Sequence, residues 1–117
     1  MSTKILSIED SEFERESITN LLAENGYNNI AEAATAEEGL EKYDEDTDLV
    51  LLDLRLPDMD GIDVLKELEE KNADVIIVSV VREEKTKNET KDIGAEAYVE
   101  KPITEDKLIP PIEEVLE

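Results

Sequence analysis

Polar side chains stand where four apolar segments of the chain end. They comprise three carboxylates, one hydroxyl and one ammonium: Glu9, Asp10, Asp53, Ser79 and Lys101. Three carboxylates held together repel one another, and a hard divalent cation such as Mg²⁺ relieves that repulsion. A carboxylate beside Mg²⁺ can also attack phosphorus to form an acyl phosphate, while a hydroxyl and an ammonium bind the phosphoryl oxygens. If the fold gathers these residues, the pattern predicts a site that handles Mg²⁺ and phosphate.

The order of the apolar segments predicts a fold that does gather them. Short strand-like segments alternate with segments whose apolar residues recur at helical spacing. The predicted strands are 5–8, 30–34, 48–53, 75–79 and 97–100, and a helix is predicted after each of them. This alternation favours a doubly wound α/β fold, (βα)5, in which a five-stranded parallel sheet carries helices on both faces. Such folds bind ligands beyond the carboxyl ends of their strands.

Capping and breaking residues mark the ends of several predicted helices. Thr35 and Glu38 form a capping box at the start of the second helix, and Thr104 caps the last helix. Pro110 and Pro111 lie inside the last helix. Because proline lacks the backbone N–H and its ring crowds the preceding turn, we expect a kink or a restart there.

The helices differ in the faces that they can bury. Phe13, Ile18 and Leu22 recur at helical spacing and predict a buried face on the first helix. The fourth helix, predicted over 82–93, is almost wholly polar, so we expect it to be the least stable helix locally. Two acidic clusters predict solvated helix faces. These clusters are Glu12, Glu14 and Glu16, and Glu67, Glu69 and Glu70.

Composition excludes several classes of function. The 117 residues include 12 basic and 33 acidic side chains, and the formal charge of −21 disfavours direct binding to nucleic acid or to an anionic membrane surface. The chain has no histidine and no cysteine, which excludes a catalytic imidazole, a disulfide and a zinc–thiolate site. It also lacks a membrane-spanning apolar segment and a signal-peptide pattern, so we expect a soluble, cytoplasmic protein.

Taken together, these residues closely resemble the receiver domain of two-component response regulators, of the single-domain chemotaxis type. The resemblance implies a flavodoxin-like fold in which residues 1–117 form one receiver domain with no output domain. It rests on a specific nonapeptide at 53–61, Asp-Leu-Arg-Leu-Pro-Asp-Met-Asp-Gly, and on further residues at receiver spacing. These are Glu9, Asp10, Ser11, Ser79, Gly94, Ala95, Tyr98, Lys101 and Pro102.

The resemblance implies that four residues form the acceptor and metal site. Asp53 matches the aspartate that accepts the phosphoryl group. Asp10 matches a direct Mg²⁺ ligand, and Glu9 matches its acidic partner, although most receivers have Asp at that position. The backbone carbonyl of Arg55 would be a further Mg²⁺ ligand.

It also implies how the phosphoryl group is sensed. Ser79 matches the hydroxyl that moves to bond the phosphoryl group. Lys101 matches the lysine that pairs with it, usually across a cis peptide bond to a proline, here Pro102. Tyr98 matches the aromatic switch residue, which turns inward when Ser79 engages the phosphoryl group.

The implied function is a phosphorylatable signalling switch rather than a metabolic enzyme. A histidine kinase or a phosphotransfer protein would supply the phosphoryl group, and the chain would hydrolyse its own acyl phosphate. The output would be contact with a downstream protein target. A homodimer could form through the face made by the fourth helix, the fifth strand and the fifth helix, which receivers commonly use.

Other functions fit the sequence less well. A degenerate receiver would bind partners without phosphate, and Val80, where many receivers have alanine, leaves room for it. A haloacid-dehalogenase-like phosphohydrolase would need a second aspartate at the position of Arg55. A flavodoxin-like cofactor site would need a first loop rich in Ser, Thr and Gly, whereas the acidic segment 9–12 repels phosphate. A calcium loop around Gly61 would place Leu56 at its first ligand position.

Overall fold

The computed structural model describes residues 3–117 and has the predicted α/β fold. Five parallel strands form one sheet in the order β2-β1-β3-β4-β5. The strands β1–β5 are Lys4–Ile8, Asn29–Ala33, Leu49–Leu52, Val75–Ser79 and Ala97–Glu100. The helices α1–α5 are Glu12–Glu24, Ala36–Lys42, Gly61–Glu70, Glu84–Ile93 and Glu105–Leu116. Among the described residues, no helix combines the length and the apolar character needed to cross a bilayer.

The sheet separates two apolar clusters. Leu6 and Val50 lie in the cluster that also contains residues of α2 and α3, whereas Ile5 and Leu51 lie in the cluster with α1 and α5. Every residue of β3 and β4 is buried. Their side chains face an apolar layer on both sides of the sheet, which explains why these two segments show no alternation of polar and apolar residues.

The first helix packs through Ile18 and Leu22, which are fully buried. Phe13, by contrast, is 76% exposed, so its predicted place on the buried face is wrong. Ile18 and Leu22 are four residues apart and lie on one stripe of the helix. Phe13 is five residues before Ile18, which turns it about 140° away from that stripe.

The loop after β3 is held at both of its ends. The N–H of Gly61 donates to the carbonyl of Leu54 at 3.1 Å, and a Cβ on Gly61 would lie 2.4 Å from the Leu54 Cα. Only glycine permits this approach. In addition, the carboxylate of Asp58 accepts from the N–H groups of Ala36 and Glu37, at 2.8 and 3.0 Å. The loop that carries the nonapeptide is therefore fixed to α2 as well as to α3.

The predicted capping box of α2 forms with one change. The Thr35 Oγ1 accepts from the N–H of Glu38 at 3.1 Å, as expected. The Glu38 Oε1, however, accepts from the N–H of Ala34 at 2.7 Å rather than from that of Thr35. The reciprocal bond therefore lies one residue outside the helix, and the helix start is the predicted one.

The fourth helix starts two residues later than predicted, at Glu84. Two contacts hold the preceding segment outside the helix. The hydroxyl of Tyr98 donates to the carbonyl of Val81 at 2.7 Å, and the Nη2 of Arg82 donates to the carbonyl of Lys101 at 3.2 Å. The helix itself buries only Thr90, in agreement with its polar sequence.

The fifth helix runs without interruption through Pro110 and Pro111, so the expected restart at the prolines is wrong. A bend at the prolines stays a prediction. Leu108, Ile109 and Ile112 are buried on both sides of the pair and pack into the same cluster. This burial offsets the cost of the two missing N–H groups. Thr104 occupies the N-cap position, but its side chain makes no capping hydrogen bond.

Candidate functional site

The backbone ladders continue one residue past the strands and so place the predicted site residues. The N–H of Asp53 donates to the carbonyl of Ile8 at 3.0 Å, and the N–H of Lys101 donates to the carbonyl of Ser79 at 2.9 Å. Glu9 follows β1 directly. Since β1 and β3 are neighbours at the point where the strand order reverses, Glu9 and Asp53 meet where doubly wound folds bind ligands.

The ammonium of Lys101 lies at the centre of this group. Its Nζ is 2.5 Å from the Oε1 of Glu9, 2.9 Å from the Oδ2 of Asp53 and 2.8 Å from the Oε2 of Glu14. The side chains of Lys101, Glu9 and Asp53 are at most 6% exposed, whereas that of Glu14 is 35% exposed. The site is a buried cation ringed by three carboxylates, one of which faces solvent.

Sequence reasoning missed Glu14, which it placed on a solvated helix face. The structure turns its side chain inward, where it pairs with Lys101. A signal for this position was present in the sequence. Glu14, Ile18 and Leu22 are spaced by four residues, so Glu14 continues the buried stripe of α1 toward the sheet edge. Glu69 of α3 also departs from that expectation, because its Oε2 is buried.

Burial dominates the electrostatics of the group. It raises the pKa of Glu9 to about 7, and the nearby Asp53 charge adds to the effect. The hydrogen bonds that Glu9 accepts from Lys101 and from the N–H of Ser11 oppose this rise. Burial also acts against the charge on Lys101, but its hydrogen bonds to Glu14, Glu9 and Asp53 outweigh burial and raise the pKa of Lys101. The lysine therefore stays charged.

The group of converging acids differs from the one predicted from the sequence. One carboxylate oxygen from each of Glu9, Glu14 and Asp53 lies within 4.8 Å of the other two. Asp10 is exposed and lies outside this group. The N–H of Arg55 donates to the Oδ1 of Asp53 at 3.0 Å, which places the Arg55 backbone beside Asp53. The ammonium of Lys101 lies within 2.9 Å of one oxygen of each of these three acids. A hard cation such as Mg²⁺, which takes oxygen ligands, would therefore share these carboxylates with the lysine.

Ser79 and Tyr98 both hydrogen-bond to the backbone of Val81. The buried Oγ of Ser79 accepts from the N–H of Val81 at 3.2 Å. The half-buried Tyr98 donates to the Val81 carbonyl, and burial raises the pKa of its hydroxyl. The peptide bond between Lys101 and Pro102 is cis, as the resemblance implied.

Comparison with known proteins decides the family. The model of the response regulator receiver domain matches residues 5–113 of the chain. The chain belongs to this family. The receiver is 33% identical to the chemotaxis protein CheY of Bacillus subtilis over 119 residues, and the match covers 99% of each protein. It is 35% identical to CheY of Halobacterium salinarum over 120 residues, covering 99% of the chain and 98% of the relative.

Solved structures give the same result. The receiver superimposes on the CheY of a CheX–CheY–BeF3–Mg complex from Borrelia burgdorferi with a TM-score of 0.92 and 32% identity, over 98% of this chain and 90% of that one. A CheY-like receiver from Methanospirillum hungatei gives a TM-score of 0.90 and 30% identity, over 99% and 94% of the two chains. The chain is therefore a CheY-like receiver of a two-component system, with the predicted flavodoxin-type fold.

Proposed function

We propose that this receiver is a phosphorylatable switch whose acceptor is Asp53. The observation that carries the proposal is the contact of 2.9 Å between the Oδ2 of Asp53 and the Nζ of Lys101 in a buried acidic site. A carboxylate oxygen of Asp53 would bond to phosphorus as the bond from phosphorus to the donor breaks and the donor keeps that electron pair. In the second half of the cycle, water would attack phosphorus as the bond from phosphorus to Asp53 breaks. Asp53 would leave as a carboxylate, and inorganic phosphate would be released.

The site residues also suit a magnesium ion. Glu9, Asp10 and Asp53, with the backbone carbonyl of Arg55, would hold Mg²⁺, since hard cations take oxygen ligands. Asp10 is not among the converging carboxylates, so this role requires its side chain to turn toward the acidic group. When bound, Mg²⁺ would offset the charge on the phosphoryl oxygens. The presence of BeF3 and Mg in the complex of the Borrelia relative supports this assignment.

The contacts at Val81 supply a route from the phosphoryl group to the surface. The Oγ of Ser79 accepts from the N–H of Val81, and a shift of this hydroxyl toward a phosphoryl oxygen, to which it would donate, would lengthen that bond. Movement of Val81 would in turn break its bond with Tyr98, which lies on β5. We propose that this exchange alters the surface of α4, β5 and α5, where a downstream protein binds or a second copy of the chain docks.

The composition limits the source of the phosphoryl group. The chain has no histidine, so it cannot be its own phosphohistidine donor, and a separate histidine kinase or phosphotransfer protein would supply the phosphoryl group in the cell. Because the chain carries a net charge of −21, we expect the docking surfaces of the donor and of the target to be basic.

The deciding experiment is intact mass spectrometry after incubation with acetyl phosphate and Mg²⁺, with free phosphate assayed in the same tube. The expected result is one added phosphoryl group, or steady phosphate release, that requires Mg²⁺ and is absent from Asp53→Asn. If no adduct and no phosphate release were detected, the proposal would be wrong. The receiver would then act as a protein-interaction module that does not use phosphate.

A further inference from the structure

The three hydrogen-bond donors of Lys101 are all in use. A lysine ammonium has three N–H donors and no more. In this structure, the Nζ contacts one oxygen each of Glu9, Asp53 and Glu14. A phosphoryl oxygen can therefore bond to Lys101 only if one of these carboxylates gives up its place.

Two of the three carboxylates are poorly suited to leave. The Glu9 side chain is 3% exposed, and its second oxygen accepts from the N–H of Ser11 at 3.0 Å. If it left Lys101, this acid would lose its ionic partner without gaining contact with water. Asp53 is the proposed attachment point, so its side chain has to stay within the site when it carries the phosphoryl group.

Glu14 is suited to leave. Its side chain is 35% exposed, it projects from the first turn of α1 at the rim of the site, and a rotation about its own bonds brings the carboxylate into water. Because its carboxylate can reach water, leaving Lys101 would cost Glu14 less desolvated charge than it would cost the buried Glu9. Of the three partners, Glu14 costs least to replace.

We propose that Glu14 is a placeholder for the phosphoryl group: it occupies the third donor of Lys101 in the unphosphorylated receiver and is displaced when Asp53 is phosphorylated. This inference rests on the proposed function, in which Lys101 binds the phosphoryl group on Asp53. Glu14 is then a positioning residue that acts through Lys101. Its negative charge also repels an approaching anionic donor, so the contact slows phosphoryl uptake.

Two substitutions remove this contact in steps. Glu14→Gln removes the negative charge but keeps an oxygen that can accept a hydrogen bond from Lys101. Glu14→Met keeps the length of the side chain and removes both the charge and the acceptor oxygen. The matched control is Glu12→Gln, which deletes the same charge on the same exposed turn of α1 without touching Lys101. Circular dichroism and thermal unfolding of each variant establish that it is folded, and Glu14→Gln serves alone if Glu14→Met does not fold.

The rate of acyl phosphate formation, followed by intact mass at several acetyl phosphate concentrations with Mg²⁺, provides the test. We expect Glu14→Met to gain about fivefold at low salt, Glu14→Gln to gain less, and Glu12→Gln to match the unaltered receiver. The gain should shrink in 1 M KCl, because salt screens the competing charge. A purely structural role would give no such salt dependence.

The outcomes separate the two proposals. If the unaltered receiver gave neither an adduct nor Mg²⁺-dependent phosphate release, the proposed function would be wrong, and the placeholder with it. Normal uptake by the unaltered receiver, with both Glu14 variants no faster than Glu12→Gln, would overturn the placeholder alone. A gain that is the same at low salt and in 1 M KCl would also count against it.

Discussion

The hydroxyl of Tyr98 donates a hydrogen bond of 2.7 Å to the carbonyl oxygen of Val81 and ties β5 to the loop between β4 and α4. The N–H of Val81 is held in the same way by the Oγ of Ser79. The helix that follows the loop buries only Thr90. The loop and the start of α4 therefore depend on these side-chain contacts rather than on a hydrophobic anchor of their own.

Tyr98→Phe should loosen this loop. The substitution keeps the ring and removes one hydrogen bond, so we expect the free energy of unfolding to fall by about 1 kcal/mol. Amide hydrogen exchange should speed up in the segment 81–87 and stay unchanged in β1 and β3. Urea denaturation and exchange measured by mass spectrometry provide the two readouts. Tyr43→Phe is the matched control, since no hydrogen bond of the Tyr43 hydroxyl occurs within residues 3–117; equal effects of both variants would contradict the prediction.

Asp58→Ala should lower the free energy of unfolding of the receiver at neutral pH, and this loss should be smaller in acid. The N–H groups of Glu37 and Ala36 bond to the carboxylate and lower the pKa of Asp58. A carboxyl whose pKa is lower in the folded state than in the unfolded state stabilises the fold. Its full contribution is present at pH values above the unfolded-state pKa, and it is lost as the pH falls through the folded-state pKa. The difference in urea midpoint between the unaltered receiver and Asp58→Ala should be constant from about pH 6 to 8 and shrink below about pH 4.

The control for Asp58 is Asp46→Ala, another exposed aspartate in a loop. Acid reduces the net negative charge of every variant, and the control carries the same change in charge as Asp58→Ala. A pH-independent difference between the Asp58 variant and this control would show that the carboxylate does not cap α2.

The sequence predicted the strand ends of the site, but not the contacts that depend on how the helices pack. The strand ends at Glu9, Asp53 and Lys101 were predictable, because apolar segments mark strands and topology then brings their ends to one edge. The contact of Glu14 was not predicted, since a glutamate in an acidic helix normally faces water. The continuity of α5 through Pro110 depends on the burial of residues around it, which is a property of the assembled core and is absent from local propensity.

Glu69→Met should stabilise the receiver at neutral pH. The Oε2 of Glu69 is buried without a hydrogen-bond partner among residues 3–117. Burial, then repulsion from Glu96 and Asp74, raises the pKa of Glu69. An unpaired buried acceptor costs about 1 kcal/mol or more, and methionine of similar length removes that cost.

The pH dependence of this variant has the opposite sign to that of Asp58→Ala. The pKa of Glu69 is higher in the folded state than in the unfolded state. Ionisation of Glu69 therefore lowers the free energy of unfolding, and this loss develops as the pH rises from the unfolded-state pKa through the folded-state pKa. The advantage of Glu69→Met in urea denaturation should therefore be largest near pH 8 and smallest near pH 4. Glu67→Met, at an exposed site on the same helix, should show no such trend; a parallel trend in it would refute the assignment.

Acidic residues also lie at unfavourable ends of three helices. The last turns of α1, α3 and α5 contain no basic residue, although cations are favoured there by the helix dipole. Neutralising one exposed glutamate near each of these ends should raise the free energy of unfolding by about 1 kcal/mol in total at low salt. The substitutions are Glu24→Gln, Glu70→Gln and Glu114→Gln.

A second triple variant separates the helix dipole from net charge. It removes three negative charges from first helical turns, where the dipole favours them: Glu12→Gln, Glu37→Gln and Asp63→Asn. If repulsion within a chain of net charge −21 were the only effect, both triple variants would be stabilised equally. We expect only the first to gain, and we expect its gain to disappear in 1 M KCl, where the screening length falls to about 3 Å. Thermal and urea unfolding of both variants at low and high salt distinguish these outcomes.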